Sequence, residues 1–198
     1  SIFDSESDET IDNIYRCYFW MAYGGIDEDD TILIRNEDVD FSEMIIRYKT
    51  ISVPIYREAL PAFRNAVNLT SFVYKHPNYS KTIRRDRVPG DTIMRGIKAV
   101  TKTFTMRATL SKRNIKAVEE GKTDMQLSFY RVRMSGLFYR IYEMERAGIA
   151  PNFSDAALRV MDGKTYSLKG REKIEHKQNR IERDYMEDYQ RWKLAFSI

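Results

Sequence analysis

The stretch DMQLSFYRVRMSGLFYRIYEMERAG, residues 124–148, constrains the fold more than any other part of the chain. Thr123 stands before it as a helix cap, and its apolar residues run around much of a helical circumference. A helix of that kind has to be packed on several sides, which places it centrally. Gly136 in its middle lowers helix propensity and signals close approach of a neighbour. Other helical patterns surround it. Asp8 or Thr10 can cap a helix through IDNIYRCYFWMAY that stops at Gly24 and Gly25. Asp38 or Asp40 can cap a second through FSEMIIRYKTIS, where Phe41, Ile45 and Tyr48 recur at helical spacing. Pro61 restarts the chain into a helix marked by Ala62, Phe63, Ala66, Val67, Thr70 and Val73 and ending near Tyr74. Ile93, Ile97, Val100 and Phe104 form an amphipathic stripe opened by Asp91 or Thr92. SKRNIKAVEEG, capped at Ser111 and closed by Gly121, and DAALRVMD, capped at Ser154 and closed by Gly163, read as short helices. A last helix covers 171–196 with a narrow seam of Ile174, Ile181, Tyr185, Tyr189, Trp192 and Phe196. TILIR reads as a short strand or extended link, IDEDD as a turn, and residues 75–91 as a long loop of the kind that often carries function.

The expected fold is therefore mostly all-α: a single helical domain with an acidic N-terminal arm over 1–12, a helical body over 13–170 and a long helix over 171–198 that packs on the body or on a neighbouring subunit. With 198 residues, 42% of them hydrophobic and 13% aromatic, the chain can bury a sizeable core. No run of about 18 apolar residues occurs, so no transmembrane helix is expected. The acidic start lacks the features of a secretory signal, and a first residue of Ser rather than Met fits a processed or trimmed chain. A lone cysteine, Cys17, excludes an internal disulfide. Its setting among Tyr15, Tyr18, Phe19 and Trp20 suits a buried core thiol.

Charge is sharply segregated. Residues 1–43 hold 13 acidic and 2 basic side chains, whereas residues 75–116 hold 12 basic side chains and only Asp86 and Asp91 against them. An acidic arm and a basic body follow, and a basic body attracts polyanions. Enzymatic chemistry finds little footing. His76 and His176 lie far apart, no glycine-rich phosphate loop or nucleophile motif occurs, and Asp162, Glu172 and Lys173 are too common a combination to indicate a metal nuclease. The acidic run at 27–30 does not have calcium-loop spacing and reads as a solvated turn. No catalytic residue, metal ligand or cofactor is expected.

Nucleic-acid grooves combine cations for phosphates with rings that stack on bases. The expected binding residues are Tyr79, Lys81, Arg84, Arg85, Arg87, Arg95, Lys98, Lys102, Arg107, Lys112 and Arg113, with Tyr74 close by. The stretch TDMQLSFY, Thr123–Tyr130, resembles the TDM-x-L-x-x-Y segment of potyvirus coat proteins. Thr123, Asp124, Met125, Leu127 and Tyr130 carry the match, and Pro89 with the helix from Thr92 stands in the family's order. The resemblance implies a helical protein that coats single-stranded RNA in flexuous filaments. The family's Phe-Asp-Phe group is replaced here by Val132, Arg133 and Met134, so the carboxylate that helps shape the family's RNA groove is missing, and no RNA contact carries over. The expected function is that of a nucleocapsid or coat protein that neutralises single-stranded nucleic acid, RNA above all, in a basic groove. It would be cytoplasmic or in a virion, homo-oligomeric, and joined through its acidic arm to a neighbouring subunit. The alternative is a helical matrix-type or interaction protein whose basic patch meets a membrane surface or an acidic partner.

Overall fold

The computed structural model describes residues 10–49, 51–75, 81–96, 102–124, 126–162 and 171–198. It is mostly helical, with two small antiparallel sheets, so the fold is not purely α. The chain divides into two compact units, Ser1–Val132 and Arg133–Ile198. That division falls inside a helix. Most of the acidic arm, residues 1–9, lies outside the described residues.

In the first unit, α1 (Asp12–Gly24) buries Ile14, Cys17, Tyr18, Met21 and Ala22. It stops where the sequence says it should. Gly25 takes φ 105° and its N–H donates to the carbonyls of Ala22 and Met21, a left-handed helix end that favours glycine. Burial pushes the Cys17 thiol well above its usual range, as befits a core residue. TILIR belongs to no long strand: Glu28–Leu33 forms a 3-10 turn and Arg35 then bridges Thr92.

The expected helix over 41–52 is replaced by strands. A three-stranded sheet runs β1 (Val39–Asp40), β2 (Ile45–Tyr48), β3 (Ile51–Pro54), with Ile46 opposite Val53 and Tyr48 opposite Ile51. The spacing of Phe41, Ile45 and Tyr48 fits a helix, but Ile45, Ile46, Ile51 and Val53 are β-branched and pack better on a pleated surface. Lys49 at φ 52° makes the turn between β2 and β3. Ile46 and Val53 are buried while Arg47 and Ser52 face water, so the two-residue alternation decided the outcome.

The next helix, α2 (Leu60–Asn68), has Pro61 in its first turn, where a missing N–H costs nothing. It ends six residues before Tyr74. Phe72, Val73 and Tyr74 belong instead to β4 (Ser71–Lys75), paired with β5 (Thr82–Asp86) in the register Phe72 to Arg85 and Val73 to Arg84. The expected loop over 75–91 is thus partly strand. The expected helix from Thr92 is absent as far as Gly96: the Ile93 N–H donates to the Ile34 carbonyl, and Val88 N–H to Gly96, so these backbone groups serve chain crossings. Residues 97–101 lie outside the described residues. Helix α3 (Thr103–Glu119) then runs unbroken through the segment expected to start at Ser111, with Gly121 at φ 66° beyond its end.

Helix α4 (Phe129–Arg146) starts later than its sequence pattern predicts. The Asn114 side chain donates to the Leu127 carbonyl at 2.6 Å and accepts the Leu127 N–H at 3.1 Å, holding that segment out of the helix. Ser128, not Thr123, does the capping, its hydroxyl accepting the Arg131 N–H. The first core gathers Tyr18, Met21, Ile34, Ile46, Phe63, Phe72, Ile93, Met94 and Met106. Each such side chain contributes about 1.5–3 kcal/mol by leaving water.

The second unit is a helical assembly of the rest of α4, α5 (Phe153–Asp162) and α6 (Arg171–Phe196). Leu137, Phe138 and Ile141 pack with Phe153, Ala156, Ala157, Leu158, Ile181 and Tyr189. Gly136 is buried, as its place in the sequence suggests. Asn152 rather than Ser154 caps α5, accepting the Asp155 N–H at 2.9 Å. Of the predicted α6 seam, Ile181 and Tyr189 are buried, Ile174, Tyr185 and Trp192 partly so, and Phe196 is exposed. Tyr189 stacks on Phe153 at 4.8 Å, and the Trp192 indole N–H donates to Ser135 at 2.9 Å. The long helix therefore packs on its own unit.

Candidate nucleic-acid interface

The eleven residues expected to meet a polyanion fall into three groups. Tyr79 and Lys98 lie outside the described residues. Four arginines are already occupied. Arg87, only 6% exposed, donates to the carbonyls of Ala66, Leu69, Ile93 and Arg95 and lies over the Phe72 ring. Burial, with Arg95 beside it, lowers its pKa to about 10, so it is still a cation at neutral pH. Arg95 donates to Asn36 Oδ1 and to the carbonyls of Thr92 and Val67, and burial lowers its pKa as well. Arg113 bonds Asp12 at 2.5 Å and covers the Tyr15 ring at 4.9 Å. Arg107 makes a two-pronged bond to Glu28. Arg87 in particular is a structural residue: its fork is enclosed and its donors are spent on backbone oxygens.

The third group stays at the surface. Lys81, Arg84 and Arg85 are exposed in and just before β5, with Arg84 also donating to the Ser71 hydroxyl at 2.7 Å. Lys102, at the N-terminal end of α3, and Lys112, midway along it, are exposed too. Arg95 and Lys102 do not share a helix as the sequence suggested.

The charge segregation is in part resolved within the chain. Asp12 and Glu28 meet Arg113 and Arg107 of α3, Asp30 meets Lys49 at 2.9 Å, and Asp29 accepts from Thr103. The acidic run at 27–30 is thus more than a solvated turn. It clamps the basic helix, and this was the signal available in the sequence: an acidic segment whose complement lies some 80 residues on.

That clamp forms part of a pocket of about 280 Å³ lined by Tyr18, Glu28, Arg107, Asn114, Gln126 and Tyr130, with Phe19, Leu110, Ser111, Leu127, Ser128 and Phe129 completing it. The Tyr18 ring packs on Phe129 at 4.8 Å and its hydroxyl donates to Glu28. Burial and that carboxylate together raise the Tyr18 pKa. Desolvation opposes ionisation of Glu28, but the bonds from Arg107 and Tyr18 outweigh it and hold its carboxyl below the ordinary value. The stability this contributes is present above the ordinary carboxyl range and is lost as pH falls through the lowered folded value. Glu28→Gln should therefore flatten the acid limb of a melting-temperature profile taken between about pH 6 and pH 3. An unchanged acid limb would show that the clamp carries no linked proton. Leu127 and Tyr130, two of the residues in the Thr123–Tyr130 resemblance, lie on the pocket wall. Tyr130 is 66% exposed, and its neighbours Gln126 and Ser128 offer amide and hydroxyl groups. The sequence reading missed Tyr18, Glu28, Asn114, Gln126 and Ser128 because nothing local marks them.

No protein-family model, curated protein or solved structure matches the chain. Among the described residues, no helix is long and apolar enough to cross a membrane.

Proposed function

We propose that the protein is a nucleic-acid-binding structural protein of nucleocapsid or coat type, holding single-stranded RNA by its backbone charge. The observation that carries this reading is the combination on α3 and the segment after it. Lys102 and Lys112 are exposed, and α3 also lends residues to a pocket with an aromatic wall at Phe129 and Tyr130 and polar groups at Asn114, Gln126 and Ser128. Cations neutralise phosphate, and an exposed ring offers a face on which any base can stack. Lys81, Arg84 and Arg85 form a second basic stretch in and just before β5. The resemblance of Thr123–Tyr130 to potyvirus coat proteins adds to the reading, as does the acidic segment 1–9, which would contact a neighbouring subunit. A virion or the cytoplasm is the setting this implies.

The test is a salt titration of binding to a single-stranded oligonucleotide. Each phosphate contact contributes roughly 0.7 to the log–log slope. Changing Arg84, Arg85 and Lys112 together to Ala should weaken binding and lower the slope by about 2, while leaving the melting temperature nearly unchanged. Tyr130→Ala should weaken binding by about 1–3 kcal/mol without changing the slope. An unchanged slope in the triple variant would overturn the assignment. Flotation with anionic vesicles in the absence of RNA binding would favour a membrane-surface role instead.

A further inference from the structure

The pocket that α3 helps to line carries more hydrogen-bonding capacity than a stacking surface needs. Glu28 engages Nε and Nη2 of Arg107, and the third nitrogen, Nη1, makes no hydrogen bond among the described residues. The side-chain amide of Gln126 makes none among them either, although its main-chain carbonyl accepts from Arg131 Nη1 at 3.2 Å. Both residues line the pocket, and Leu110, Leu127 and Phe129 supply apolar wall. Both are also held in place. The two Asn114 bonds to Leu127 and the Arg131 contacts with Gln126 and Ser128 fix the backbone that carries the amide. The Glu28 carboxylate, itself held by the Tyr18 hydroxyl, fixes the plane of the Arg107 guanidinium.

We propose that this pocket takes one pyrimidine base of a bound single strand and rejects purines, a selection that rests on the nucleic-acid reading above and adds base choice to it. The reason is the order of donors and acceptors. A guanidinium only donates, whereas a glutamine amide offers one donor and one acceptor side by side and serves either way round. Along its pairing edge uracil presents a carbonyl, an N–H and a second carbonyl. Cytosine presents an amino group, a bare ring nitrogen and a carbonyl. In both, the Gln126 amide pairs with the first two groups, and Arg107 Nη1 donates to the carbonyl nearest the sugar. At the corresponding place adenine has only a C–H and guanine an amino group. A purine there strips water from the guanidinium and gives it no acceptor in return. Tyr130 stacks on the base without choosing it, and stacking strength by itself favours the larger purines, the opposite order.

The test uses the full chain and RNA strands of about eight nucleotides that are abasic except for one central base, so that phosphate charge is the same in all. By fluorescence anisotropy, strands bearing uracil or cytosine should bind at least about fivefold more tightly than strands bearing adenine or guanine. Sulfur in place of the uracil oxygen assigned to Arg107 is a poorer acceptor and should weaken binding several-fold. Gln126→Ala should shrink the pyrimidine preference to about twofold or less. It should leave the salt slope and the melting temperature unchanged, because the residue is exposed and its amide is assigned to a base, not to a phosphate. Equal binding of all strands, the fully abasic one included, would overturn the pyrimidine pocket and leave the charge-based reading standing. Binding of an ordinary oligonucleotide but of no single-base strand would do the same. So would a purine preference, indifference to the sulfur, or a pyrimidine preference that survives Gln126→Ala. Failure of every strand and of the ordinary oligonucleotide would overturn the nucleic-acid reading itself, and the pocket with it.

Discussion

Arg87→Ala should cost the first unit about 3–5 kcal/mol and lower its melting temperature by roughly 10 °C. The reason lies in what the guanidinium holds. Its N–H groups reach the carbonyls of Ala66 and Leu69, at the end of α2, and those of Ile93 and Arg95, in the segment that crosses to Ile34. The last carbonyls of a helix have no partner of their own and carry the negative end of its dipole. A cation is the group best suited to that place. Alanine leaves buried acceptors without donors, which costs far more than the net worth of the bonds lost. Lysine keeps the charge but not the fork, so Arg87→Lys should recover only part of the loss. Arg85, two residues earlier and exposed, supplies the control: Arg85→Ala should stay within about 0.5 kcal/mol. Urea melts of the three variants measure the difference. Equal stability of Arg87→Ala and Arg85→Ala would mean that the carbonyls find water instead.

Arg87 also marks the limit of what composition can tell. Summed over 75–116, the cations look like one unsatisfied patch. Lys81, Arg84, Arg85 and Arg87 are neighbours in sequence, but Arg87, the first residue past β5, lies inward while the others remain at the surface. Charge counting has no access to that choice, because it depends on where the carbonyls of α2 end up. The ion pairs of Arg107 and Arg113 are hidden for a related reason: their partners, Glu28 and Asp12, are distant in sequence and close in space. The helices with strong local rules were legible. Helix α1 ends at the glycine pair, α6 has the limits its seam indicated, and Gly136 is buried. The stretches over 41–52 and 71–86 were not. Their apolar residues fit both periods, and β-branched side chains together with a positive φ at Lys49 tip the balance to strands. The start of α4 was misplaced because Asn114, a residue of another helix, pins the backbone of Leu127. A side chain that overrides a local helical pattern from outside leaves no trace in the pattern itself. The pocket inherits that difficulty, since its walls come from α1, the 3-10 turn, α3 and the segment before α4.

Gly24→Ala should destabilise the first unit by about 1–2 kcal/mol, although the substitution normally favours a helix. Gly24 is the last residue of α1 and is buried. A Cβ built there would run into Cγ1 of Val53 on β3. Val53 is itself buried, 4% exposed, and its β-branched side chain has few rotamers to retreat into. Overpacking of this kind costs about 1–3 kcal/mol. Against it stands the gain of up to about 1 kcal/mol from replacing a helical glycine. The clash should win, because both the helix end and the strand are fixed by their own hydrogen bonds. Gly90→Ala offers the contrast. Its added Cβ would meet only Arg95 Cδ, at 3.5 Å, an ordinary contact, so that variant should be neutral or slightly stabilising. A double-mutant cycle with Val53→Ala isolates the contact. Val53→Ala alone leaves a void, and the alanine at 24 should fill part of it. The double variant should then be more stable than the sum of the singles by about 1 kcal/mol or more. Additivity within about 0.3–0.5 kcal/mol would mean that the end of α1 and β3 do not press on each other at this point.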